Sequence, residues 1–116
     1  MGLDMYLLFE KDNFDGEYGY WRKAYQIHGW FVRNVQDGVD DSGQYEVSEK
    51  KLRDLLELCQ TVLKTKNSDL LPPTEGFFFG SRTVDDDYWQ DLRDTIGILE
   101  DALRSGQERF YYCSSW

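Results

Sequence analysis

The feature that most constrains this chain is a run of apolar residues at helical spacing. Leu52, Leu55, Leu56, Cys59, Val62 and Leu63 recur at i, i+3, i+4 and i+7, while Glu49, Lys50, Arg53, Asp54, Glu57 and Gln60 fill the intervening positions. Such a stripe defines an amphipathic helix with one face committed to a core. Ser48 is placed to cap it, and Glu49 in the first turn complements the helix dipole. A second segment repeats the pattern. Leu92, Thr95, Ile96, Leu99, Ala102 and Leu103 follow Tyr88-Trp89, with Asp85, Asp86 and Asp87 suited to the helix start and Gly106 to its C′ position. Capping explains the three aspartates without an ion.

Two such helices need something to pack against, and the ends of the chain supply it. Leu3-Asp4-Met5-Tyr6-Leu7-Leu8-Phe9 is short and apolar and gives way to the turn chemistry of Lys11 to Gly16, which predicts a central strand. Asp4 is its exception, either facing a loop or serving a site, because a buried carboxylate is costly unless paired. Arg109 to Trp116 is aromatic and β-favouring and predicts a final strand. Phe77-Phe78-Phe79 between Gly76 and Gly80 predicts another, after the extended or turn geometry forced by Pro72-Pro73. Gln44 to Val47 suits a short extended segment.

Between Gly19 and Val35 the positions Trp21, Ala24, His28, Phe31, Val32 and Val35 fit a helix, with Tyr20, Ile27 and Trp30 widening the buried stripe and Gly29 interrupting it. The loop from Gln36 to Gly43 lacks the ligand spacing of an EF-hand. The predicted order is strand, helix, helix, strand, helix, strand. It describes an α+β fold in a single domain over residues 1–116, with a small, mainly antiparallel sheet of about three strands packed with three helices. A length of 116 residues suits one core and is too short for two of ordinary size.

Charge narrows the function classes. A formal net charge of −9 argues against general nucleic-acid binding, which needs a basic surface. Mimicry of DNA is a sharper reading, but acids interspersed with bases, as in Asp91-Leu92-Arg93-Asp94, fit a solvated surface better. No apolar run approaches the ~18 residues of a membrane span, and no secretory leader is visible, so a cytoplasmic location is expected. A myristoylation motif wants Ser or Thr where Tyr6 stands. Cys59 and Cys113 are too far apart for a metal knuckle or a redox pair, so free thiols are expected.

One segment departs from the acidic background. Tyr18 to Gln36 holds Arg22, Lys23 and Arg33 and no acid, leaving 10 basic against 22 acidic side chains elsewhere. It also holds the only histidine and two of the four tryptophans. Arg22, Lys23 and Arg33 offer donors to an anion, and Tyr20, Trp21, Tyr25 and Trp30 offer faces for stacking a planar ring. On one helix, Arg22 and Arg33 would lie three turns apart on one side. The alternative is that the aromatics are core and the cations neutralise the protein's own carboxylates, such as Asp4 or Asp87. Gly80-Ser81 could add backbone N–H groups to an anion site, although a tight turn explains the pair better.

The motifs Met1-Gly2-Leu3-Asp4-Met5-Tyr6-Leu7, Tyr20-Trp21-Arg22-Lys23 with Ile27-His28-Gly29-Trp30-Phe31, and Gly76-Phe77-Phe78-Phe79-Gly80-Ser81 ahead of Asp86-Asp87-Tyr88 extend nearly end to end. In these the chain resembles a family of small proteins encoded by bacteriophages and prophage-bearing bacteria. The resemblance implies an accessory protein, of the kind that often inhibits host functions or defence systems.

The resulting expectation is a non-enzymatic binding or inhibitory module that engages a small anionic, nucleotide-like ligand or a host protein. The residues expected at its site are Tyr20, Trp21, Arg22, Lys23, His28, Trp30, Arg33, Gly80 and Ser81. No cofactor or metal is implied, since no His-x-x-x-His or Glu-x-x-His pair anchors one, and a homodimer through exposed aromatics is compatible with the sequence. The competing expectation is a small hydrolase using His28 with Cys113, Ser81 or Ser114, which requires folding to bring them within hydrogen-bond reach.

Overall fold

The computed structural model describes residues 4–9, 17–22, 24–39, 43–71, 86–107 and 109–115. In chain order these form β1 (Asp4–Leu8), β2 (Glu17–Arg22), α1 (Tyr25–Asn34), β3 (Tyr45–Ser48), α2 (Glu49–Thr65), a 3-10 turn at Ser68–Leu70, α3 (Asp86–Arg104) and β4 (Arg109–Ser115). The fold is α+β, as expected. Its described sheet has four strands rather than three, in the order β2-β1-β4-β3. Every described pairing is antiparallel. β1 is central, as its apolar run predicts. The predicted strand at Phe77–Phe79 lies outside the described residues.

The strand that the sequence did not anticipate comes from the segment expected to start the first helix. Glu17–Arg22 pairs with β1, setting Asp4 opposite Arg22, Met5 opposite Trp21, and Tyr6 opposite Tyr20. The helix begins only at Tyr25. Gly19 and the aromatic Tyr20 and Trp21 are weak helix formers, and an alternation of two satisfies them once β1 is there to take up their backbone groups. Gly19 and Trp21 turn toward the helices. Tyr20 turns away, its ring beside that of Tyr6, and Arg22 ends the strand beside Asp4.

The three described helices contribute to one core with the sheet. Met5, Leu7, Trp21, Phe110, Tyr112 and Val47 from the strands join Ile27 and Phe31 of α1, Leu52, Leu55, Cys59 and Val62 of α2, and Leu92, Leu99 and Ala102 of α3. The cleanest stripe in the sequence is therefore core, although Leu56 and Leu63 sit half-buried at its margin. Ser48 caps α2 by accepting from the Lys51 N–H at 3.2 Å. Gly106, just past α3, has φ +83°, the left-handed conformation its C′ position needs.

Polar bonds fix how the layers meet. Trp21 Nε1 donates to Thr95 Oγ1 at 2.8 Å, tying β2 to α3. Gln26 Nε2 donates to the Tyr88 carbonyl at 3.2 Å, tying α1 to the start of α3. The Tyr88 hydroxyl in turn donates to the Leu71 carbonyl at 2.6 Å. Each of these three donors thus finds an acceptor on a different element, so these bonds select one arrangement of layers.

Candidate functional site

The residues expected at the site divide into two groups once the chain is folded. His28 is fully buried, with Nδ1 and the Tyr112 hydroxyl 2.6 Å apart in a hydrogen bond. Tyr112 stacks on Phe31 with ring centroids 3.8 Å apart. Trp21 and Trp30 are buried as well, each edge-on to Phe31. These aromatics are core, the alternative the sequence left open. Trp21 places its ring against the helices because β2 alternates. Trp30 belongs to a helix buried without interruption from Gln26 to Val32.

Tyr20, Arg22 and Arg33 are the exposed members. Arg33 is in the last turn of α1 and Arg22 is in β2, so the two do not share a helix face. The expectation of a three-turn ladder from Arg22 to Arg33 fails for that reason. Lys23, Gly80 and Ser81 lie outside the described residues.

What the fold assembles instead is a polar cluster at the β2 margin of the sheet. The Tyr20 hydroxyl donates to Asp4 Oδ1 at 2.5 Å. Arg22 Nε lies 4.0 Å from the same oxygen. Tyr20 remains 45% exposed, and its ring meets Tyr6 at 5.3 Å. The bond to Asp4 holds the Tyr20 phenol above its ordinary value, because ionising the phenol would remove the donor and set two anions together. Asp4 therefore has its partners at the surface and does not burden the core.

Arg22 also lines a shallow depression of about 370 Å³ with Asp87, Gln90 and Asp91 of α3. Of these three, only Asp87 was expected near the cations, as a carboxylate for them to neutralise, and Asp91 and Gln90 were not. The signal was present: residues 87, 90, 91 and 94 share one flank of α3, beside the stripe of Tyr88, Leu92, Thr95 and Leu99. One guanidinium facing two carboxylates makes this wall acidic on balance, which opposes a small anion and suits a surface of mixed charge.

The described candidates for nucleophilic catalysis are elsewhere. Cys59 and Cys113 are buried free thiols, and burial pushes the Cys59 thiol up to about 12, far from a reactive thiolate. Ser114 is also buried, on β4. Among the described residues no group of three or more His, Cys, Asp or Glu side chains is placed to hold a metal ion. No described helix is long and apolar enough to cross a membrane.

Comparison with known proteins returns nothing to set beside this geometry: no protein-family model matches the chain, and neither curated proteins nor solved structures give a match.

Proposed function

We propose that this chain is a non-enzymatic, phage-type accessory protein that acts in the host cytoplasm by binding and inhibiting a host protein, with an anti-defence role as one form of that activity. The phage-type part of the reading rests on the resemblance in sequence, and the observation that carries the protein-binding part is the surface cluster of Tyr20, Asp4 and Arg22 beside the depression walled by Asp87, Gln90 and Asp91. A tyrosine with one open face, a guanidinium and several carboxylates form the kind of surface on which tyrosine and arginine anchor protein contacts. The excess of carboxylate around Arg22 favours a protein partner over the small nucleotide-like anion that the isolated basic segment suggested. Burial of His28 against Tyr112 favours binding over hydrolysis.

The test uses Tyr20→Ala with Arg22→Gln. Both side chains are exposed, and the Arg22–Asp4 pair contributes at most ~0–1 kcal/mol, so the melt should stay near wild type. A host protein captured by the wild type, purified and shown by calorimetry to bind it directly, should bind the double variant at least tenfold more weakly. Undiminished binding to the variant would move the interface elsewhere. A wild-type melt raised by nucleotides and insensitive to host protein would restore the small-anion reading. Turnover of phosphoester or acyl substrates that disappears in a folded His28→Ala variant would establish the hydrolase instead.

A further inference from the structure

We draw no further inference here: the strongest candidate, the depression between the end of β2 and the start of α3 where Arg22 faces Asp87, Gln90 and Asp91, belongs to the surface already described, and its carboxylates and helix N-terminus come with no second, independent sign of a ligand among the described residues.

Discussion

Tyr20 donates its hydroxyl to Asp4 Oδ1 across the β1–β2 pair at 2.5 Å, although in register Tyr20 stands opposite Tyr6 and Asp4 opposite Arg22. The bond is therefore a diagonal one, within reach of a long aromatic side chain. It makes Asp4 the meeting point of a phenol and a guanidinium at the sheet surface.

This relationship sets a titration. The hydrogen bond to Asp4 is the largest cause holding the Tyr20 phenol above its ordinary value. Asp4→Asn should bring that ionisation down, read as the Tyr20 ring carbon shift against pH by NMR. An unchanged midpoint would show that Asp4 does not accept from Tyr20 in solution.

Alkaline stability should follow Cys59 and Tyr88. Burial raises the Cys59 thiol from 9.0 to about 12. Burial first, and Cys59 second, raise the Tyr88 phenol from 10.0 to about 12. An acid whose folded value is raised favours the native state fully below its unfolded value, and that contribution is lost as pH rises through the folded one. Denaturant midpoints should hold up to about pH 9 and fall steadily toward pH 12. Cys59→Ala should be less stable at neutral pH yet show a shallower alkaline decline. The native thiol should label slowly at pH 8.

Two glycines should respond to alanine in opposite ways. A methyl at Gly19 would be driven into Cγ2 of Ile98 on α3, and isoleucine is stiff at that carbon. Gly19→Ala should cost about 1–3 kcal/mol, as overpacking does. Gly97 lies exposed within α3, and a methyl there meets nothing within 4 Å. Gly97→Ala should stabilise the protein by about 0.5–1 kcal/mol, through the backbone entropy and helix propensity of alanine. Urea titrations of both variants would expose an error in either sign.

The α2 stripe should be graded. Leu55 is fully buried, whereas Leu56, which the sequence placed on the same stripe, is only half-buried. Leu55→Asp strands a charge in the core and should cost roughly 3–5 kcal/mol, enough to abolish a cooperative melt in a domain of marginal stability. Leu56→Asp can turn its carboxylate toward solvent and should melt cooperatively at a lower temperature. Equal damage from both would mean that α2 is rotated relative to the sheet.

The parts legible in the sequence were those whose local signals agreed with one another. α2 has an unbroken 3.6-residue stripe, a serine cap that bonds as expected, and an acid at its start. α3 has the same stripe and a glycine just past its end. β1 and β4 have apolar or aromatic runs too short to be helices. In each case propensity, period and boundary residues named one structure, so tertiary packing had no conflict to resolve.

Residues 17–22 carried no such agreement. Trp21, Ala24 and His28 continue a helical period, while Gly19, Tyr20, Trp21 and Arg22 fit an alternation of two equally well, and nothing local decides between them. The decision came from β1, which pairs with this segment through its backbone and sends Trp21 to Thr95 and Arg22 to Asp4. The site followed from the same event. Composition alone marked the segment holding Tyr20 and Arg22 as basic and aromatic in an acidic protein, but only the strand register set the two beside Asp4 and the acids of α3, because contacts across 16 or more residues depend on which backbones pair and not on any local spacing.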